Sequence, residues 1–213
     1  SLNYLLRALK LHEELGNKGG LIFTNRSIGK VYLKQYDLDK ALNYYNIAIN
    51  FAEELSIQIS KASIYHDIAD INMIISNYDE AIKNYMLAYN AYEELNDKHQ
   101  MSGIWYRIGN IYNLKGAYQK AINVLKKGLQ LNKEYHNENG DESKCVLFLS
   151  ISIHLNYSYK KIHKDYDIIN FQKLIKEFED SLYYIDNFYI YKCLDDSLYL
   201  KNSYNQVIEK AKK

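Results

Sequence analysis

Proline is missing from all 213 residues, and only nine are glycine. Proline breaks helices internally and is otherwise common in turns and at sheet edges. Its complete absence speaks for long helices joined by short connections. Cysteine is scarce too, with only Cys145 and Cys193. Two are too few for a disulfide framework, they lack metal-ligand spacing, and they suit a reducing compartment, so a cytoplasmic location is expected. Neither sign of charge dominates: 27 Lys+Arg against 26 Asp+Glu leave a formal net charge of +1. That balance gives no electrostatic footprint for nucleic acid or an anionic membrane, and neither is expected as a partner. The longest nearly apolar stretch, Val146 to Leu155, is interrupted by serines and a histidine. It falls far short of the roughly 20 residues a membrane span requires. What the chain does have is an ordinary globular make-up, 47% hydrophobic and 25% charged, enough to bury a substantial core. Its 23 tyrosines, among many Asn, Ile and Lys, fit a codon bias that dilutes the meaning of any single aromatic.

Against that background one signal stands out. A shift of 40 residues superimposes the sequence on itself without gaps. Ala8, Ala48, Ala88 and Gly128 form one column, and Ala41, Ala81 and Ala121 a second. Ile28, Ile68 and Ile108 form a third, each followed directly by a small residue: Gly29, Ala69 and Gly109. Tyr45, Tyr85 and Leu125 fill a large slot, and Glu-Glu-Leu recurs at 13–15, 53–55 and 93–95. Within a period the apolar spacing is helical: Ile28, Val31 and Tyr32 mark one segment, and Leu38, Ala41, Leu42, Tyr45, Ala48 and Ile49 mark another. Short polar turns separate them. Each period is therefore two antiparallel helices, A then B. Small residues let the backbones approach where helices cross, and a tyrosine or leucine fills the space alongside.

These residues resemble the tetratricopeptide repeat, whose pattern asks for a bulky residue, Leu-Gly and Tyr on helix A, then Ala, an aromatic and Ala on helix B. The third unit supplies Trp105, Ile108-Gly109, Tyr112, Ala121, Leu125 and Gly128; the second Tyr65, Ile68-Ala69, Asn72, Ala81, Tyr85 and Ala88; the first Asn25, Ile28-Gly29, Tyr32, Ala41, Tyr45 and Ala48. The usual repeat has about 34 residues, and forty resembles the longer variety of kinesin light chains, Pins-type adaptors and bacterial Rap-type regulators. The resemblance implies an all-α fold, a right-handed α-α superhelix of antiparallel helix pairs. Repeats are expected over residues 1–140, as a half unit at 2–15 and full units at about 21–55, 61–95 and 101–135. Residues 141–213 are expected to form a degenerate repeat and a helical cap.

The pattern frays at both ends. Residues 2–15 match a helix B without its helix A, which predicts an array that extends beyond Ser1. Asp141 to His154 reads as a fourth helix A with almost no polar face, and a helix apolar all round is buried all round. The C-terminal region is the nearest cover. It shows helical spacing over Ile168–Phe178, Leu182–Leu194 and Leu198–Ala211, with Asp195, Asp196 and Ser197 as caps for the last.

No chemistry-bearing constellation emerges. The six histidines form no H-E-x-x-H and pair with no cysteine at ligand spacing. Cys145, in the bulky slot of helix A, reads as a small buried hydrophobe. Gly19-Gly20 lacks the Lys-Ser/Thr and the preceding strand of a phosphate loop. Neither catalysis nor a metal or cofactor is expected. What remains is surface. By the geometry that the resemblance implies, A helices line the concave wall, exposing Phe23, Arg26, Lys30 and Lys34 in the first unit. The second exposes Ser63, His66, Asp67, Asp70 and Ile74, and the third Tyr106, Arg107, Asn110 and Leu114. Arg26, Lys30, Lys34, His66, Asp67, Asp70, Tyr106, Arg107 and Asn110 are accordingly the expected contacts of a protein or peptide partner. As helices stack, Lys30 is expected to pair with Asp70 and Asp67 with Arg107. The function so implied is a protein- or peptide-binding scaffold, the interaction segment of a larger regulator. Alternatives are a Rap-type regulator that binds a signal peptide and a structural module that self-associates end to end.

Overall fold

The computed structural model describes residues 2–139, 146–165, 167–177, 184–195 and 197–211. All regular structure among these residues is helical. The chain divides into two compact units, Ser1–Gln100 and Met101–Lys213, a boundary that falls within the repeat array.

The first unit holds α1 (Leu2–Glu14), α2 (Lys18–Lys34), α3 (Leu38–Glu54), α4 (Gln58–Ile74) and α5 (Tyr78–Glu94). The four helices from α2 to α5 have 17 residues each. Helices A begin at Lys18 and Gln58, about three residues ahead of the sequence expectation, so the connections are shorter than expected. They are also alike. Gly16, Tyr36, Ser56, Ser76 and Asn96 all have positive φ and follow one another at twenty-residue intervals. At each, the left-handed residue donates to the carbonyl three residues back, and its successor to the carbonyl five back. Tyr36 N to Leu33 O and Asp37 N to Tyr32 O, both 3.0 Å, are one example. This is the Schellman closure, which satisfies the orphan carbonyls of a helix end. The successor then opens the next helix. Asn17 and Asp37 do so with a side-chain cap, accepting from Gly20 N at 2.9 Å and Lys40 N at 3.3 Å, whereas Ile57 cannot.

These identical connections hold the helices antiparallel, and the columns of small residues become their contacts. Ala41, Ala48, Ala62, Ala69, Ala81 and Ala88 are fully buried, with Ile28, Ile64, Ile71, Tyr45 and Tyr85 filling the space between. A Cβ on Gly29 would lie 2.6 Å from the Tyr45 ring, which is why the first repeat needs glycine beside its large residue. Asn25 occupies a slot where the pattern asks for bulk. It is buried, and its amide donates to Leu21 O at 2.8 Å, so the polar group is satisfied within its own helix.

The second unit begins in the same register. α6 (Lys98–Leu114), nearly all of it in this unit, closes through Gly116, again left-handed, into α7. There the register ends. α7 (Tyr118–Asn139) has 22 residues and runs past the expected stop near 135. The fourth helix A is α8 (Val146–Lys161), which continues seven residues beyond the expected end at His154. α9 (Ile168–Glu177), α10 (Tyr184–Leu194) and α11 (Ser197–Ala211) follow. Cys145, Phe178, Leu182, Asp196 and the Ser197 side chain, assigned roles in the sequence, lie outside the described residues. The sequence of α8 is apolar all round because two neighbours need it. Ile151 and Leu155 pack with Ala121, Ile122 and Leu125 of α7, while Leu149 and Ile153 pack with Phe171, Ile175, Tyr189, Ile190 and Cys193 of α9 and α10.

Candidate partner-binding surface

In the first unit, Arg26, Lys30 and Lys34 lie four residues apart and so share one stripe of α2. His66, Asp67 and Asp70 stand on the facing turns of α4. The structure brings most of them together. Arg26 donates from Nε to Asp67 Oδ2 at 2.6 Å and from Nη2 to Ser63 O at 3.3 Å. Lys30 Nζ lies 3.7 Å from the same Asp67 oxygen. Asp70 accepts the Tyr85 hydroxyl and lies 3.8 Å from His66 Nε2. Lys34, the last residue of α2, is exposed and favours the carbonyl end of that helix dipole. The expected Lys30–Asp70 pair is thus corrected to Lys30–Asp67, and the Asp67 carboxylate is held by Arg26. Sequence spacing fixes which face a residue occupies, but not the stagger between two neighbouring helices.

The electrostatics of this wall are uneven. The Asp67 side chain is 16% exposed, against 29% for Arg26 and 48% for Lys30. The acid is sheltered while its two cations still reach solvent. Beneath them the Tyr45 hydroxyl is buried without a hydrogen-bond partner, and burial followed by the nearby Asp67 charge raises its pKa. Phe23, one turn before Arg26, is 71% exposed, and Ile74 closes the α4 end of the wall half exposed. Long cations, a sheltered acid and a bare aromatic can together offer charge, hydrogen bonds and apolar area to a chain laid across them.

In the second unit Tyr106, Arg107 and Asn110 lie on α6, and Tyr106 and Asn110 are met by side chains of α8 and α10. Tyr189 of α10 donates its hydroxyl to Asn110 Oδ1 at 3.2 Å. The Tyr106 hydroxyl lies 3.4 Å from His154 Nε2, with the rings edge to face at 5.1 Å. The Tyr189 ring sits 4.0 Å from the His154 ring and 4.9 Å from that of Tyr157. His154 is fully buried, and burial pushes its pKa down to about 3, so the imidazole is neutral. Burial, and next the Asp186 carboxylate, raise the pKa of Tyr106. The expectation that Tyr106 and Asn110 stand open to a partner is therefore replaced by contacts with α8 and α10. Tyr189 and His154 were missed as participants. The only sequence signal was indirect: an all-apolar α8 demands a cover without naming the residue that provides it.

Among the described residues no group of three or more His, Cys, Asp or Glu could hold a metal ion, and no helix is long and apolar enough to cross a membrane. Cys193 is buried, and burial pushes its thiol up to about 12, far from the thiolate a nucleophile requires.

Residues 60–134 match the family model of the tetratricopeptide repeat. Those residues are tetratricopeptide (TPR) repeats. Among solved structures, this chain is similar to the apo form of RapI at 15% identity and a TM-score of 0.78, covering 98% of this chain and 58% of that one. It is also similar to BtubC (BKLC) from P. vanneervenii, at 17% identity and a TM-score of 0.63 over 94% of this chain and 70% of that one. A kinesin-light-chain-like protein of Podosopora anserina with nearly identical TPR-like repeats matches at 11% identity and a TM-score of 0.64, over 84% of each chain. At such identities the likeness is one of fold: all-α, the α-α superhelix of TPR-like helix pairs. The chain spans little more than half the length of RapI. No curated protein matches it.

Proposed function

We propose that this TPR chain is a non-catalytic scaffold that binds a protein or peptide, and that its contact surface in the first unit is the α2–α4 wall. The observation that carries this reading is the convergence of Arg26 and Lys30 on the sheltered Asp67 carboxylate, with both cations still open to solvent. The small and large columns commit the other faces to packing, whereas this wall carries charge that packing does not use. The sign pattern across it, basic on α2 and acidic on α4, fits a ligand bearing both charges better than a polyanion. Tyr106, Arg107 and Asn110 belong to the equivalent face of the second unit, where contacts with α8 and α10 restrict access.

A second reading is favoured by the similarity in fold to apo RapI, which takes in 98% of this chain and 58% of that one: a Rap-type regulator whose repeats bind a short signal peptide and change shape to act on another protein. A cytoplasmic setting and end-to-end association of copies are parts of the proposal that remain subordinate to binding. The test is selection of displayed peptides on the purified chain, followed by titration of the best ones. Lys30→Glu should weaken them at least tenfold, while Lys83→Glu, on α5, should change little. The scaffold reading keeps its form if curvature is constant on binding, and the Rap-type reading requires small-angle scattering to change with a short peptide. Unaltered binding by Lys30→Glu together with loss in Lys83→Glu would move the site off the wall.

A further inference from the structure

The contact that α10 makes with α6 and α8 is unusually polar for a buried one. α8 contributes Ser150 and His154 to the buried layer, and α10 contributes Asp186, 3% exposed. Ser150 donates to Asp186 Oδ1 at 3.1 Å, and Tyr189 to Asn110 Oδ1 at 3.2 Å. His154 Nδ1 is buried with no partner at all. The apolar share is Leu149 and Ile153 against Tyr189, Ile190 and Cys193, with Tyr157 and Leu194 partly buried beside them, so polar groups and apolar ones are mixed in one layer. The α7–α8 contact on the opposite side is a layer of Ala121, Ile122, Leu125, Ile151 and Leu155. Burying a carboxylate and an unpaired imidazole nitrogen costs free energy that an apolar layer would not. Contacts of mixed polar make-up are typical of parts that come apart, and apolar layers are typical of permanent ones.

We propose that the face formed by α6 and α8 is a recognition site for a tyrosine-bearing helix, that α10 is its occupant in cis, and that a partner helix of the same chemistry can replace it. Four positions of α10 define that chemistry. A tyrosine supplies a ring for His154 and a hydroxyl for Asn110. An acid three residues before it, as Asp186, accepts from Ser150. A branched apolar residue directly after it, as Ile190, meets the Leu149–Ile153 ridge, and a small one four residues after it, as Cys193, fits against Ile153, whose carbonyl lies 3.9 Å from its sulfur. All four fall within two helical turns, so a short amphipathic segment can present them together. The site lies wholly in the second unit and does not depend on the α2–α4 wall.

The experiment uses the full chain carrying Asp186→Ala and Tyr189→Ala, probed with a labelled synthetic peptide of residues 183–195. Hydrogen exchange should show the α10 amides of the variant exchanging at least tenfold faster, while those of α6 and α8 keep most of their protection. The peptide should bind this variant and bind the wild type at least tenfold more weakly, because there the site is filled. A peptide with Tyr189→Phe should lose several-fold in affinity, and so should the wild-type peptide when Asn110→Ala is added to the variant. Three results would overturn the proposal. One is unchanged protection of α10. Another is equal loss of protection in α8, which would make α10 an inseparable part of the core. The third is a released α10 with no binding of the peptide, or binding indifferent to the tyrosine hydroxyl.

Discussion

The two units start from the same repeat and end differently. The first repeats one device: a 17-residue helix, a left-handed closing residue and a packing column of alanine and isoleucine. Its polar side chains are paired on the A-helix wall. The second keeps that device through α6 and then leaves it, as α7 overruns and α8 is covered by helices of unrelated register. There a histidine and an aspartate are buried, whereas the polar groups buried in the first unit are Thr24 and three asparagines, Asn25, Asn72 and Asn84, whose amides donate to carbonyls of their own helix. Where a repeat continues, neighbouring units solve the burial problem for each other, and polar groups can stay outside. Where it stops, the last A helix must be covered by whatever follows, and the polar groups of that segment go inside with it.

The sharpest way to separate the units is acid. The buried His154 has a folded pKa of about 3, against about 6.5 in an unfolded chain. Its folded pKa is depressed, so the neutral form is fully favoured above pH 6.5 and stability is lost as pH falls from 6.5 toward 3. Each pH unit in that window costs about 1.4 kcal/mol, and roughly 2 kcal/mol is lost by pH 5, before most carboxylates titrate. Trp105 is the single tryptophan and lies in the second unit. Its fluorescence should report urea midpoints that fall between pH 6.5 and 5, and His154→Gln should flatten that dependence. Midpoints constant over this range would show that the imidazole is not as desolvated as its surroundings imply.

A smaller effect tests the regular unit. Ala48 and Ala88 are fully buried in the crossing column, and overpacking a tight core costs about 1–3 kcal/mol. Ala48→Leu and Ala88→Leu should lower the urea midpoint measured by circular dichroism, whereas Asn90→Leu, at an exposed position of the helix that holds Ala88, should shift stability by about 0.5 kcal/mol or less. Equal midpoints in all three would mean that the alanine columns are not close contacts. The smallest effect has the opposite sign. Ser56 and Ser76 hold left-handed backbone, at φ of 53° and 60°, where a side chain is strained and glycine is not. Ser56→Gly and Ser76→Gly should each stabilise by about 0.5 kcal/mol, part of the relief being offset by the freer unfolded chain. A midpoint lowered by either change would deny the strain.

The repeat columns were legible because each is a packing requirement that recurs: a glycine or alanine under Tyr45, Tyr85 or Leu125 leaves a trace at every 40th position. The connections were less so. Tyr36, Ser56, Ser76 and Asn96 close helices where glycine is the usual marker, so nothing in the sequence marks the helix start at Gln58; at Lys18 the Gly19-Gly20 pair reads as a turn although it lies inside the first turn of α2. At the candidate site, Arg26, Lys30, Asp67 and Asp70 could be assigned to one wall through the geometry that the tetratricopeptide resemblance implies. Their pairing could not, since it depends on how far α4 slides along α2. Tyr189 was beyond reach for a different reason. It stands in no column, and only the chain path through α8 and α9 carries it to Asn110.

The closing residues also have a meaning for how such a chain can be lengthened or shortened. Each connection consumes the same three positions, and the residue that ends one helix's hydrogen bonding also begins the next helix. No slack is left over. A splice that joins Ser56 to Asp97 would remove 40 residues and still put a left-handed residue before a competent helix start, Asp97, whose side chain accepts from Gln100 N at 3.0 Å. A splice of 20 residues, Ser56 to Asn77, would keep that phase but set a helix B where a helix A belongs, and a length that is no multiple of 20 would break the phase itself. Gene duplication and deletion in this array are thereby quantised: recombination can gain or lose whole pairs of helices freely, and almost nothing in between.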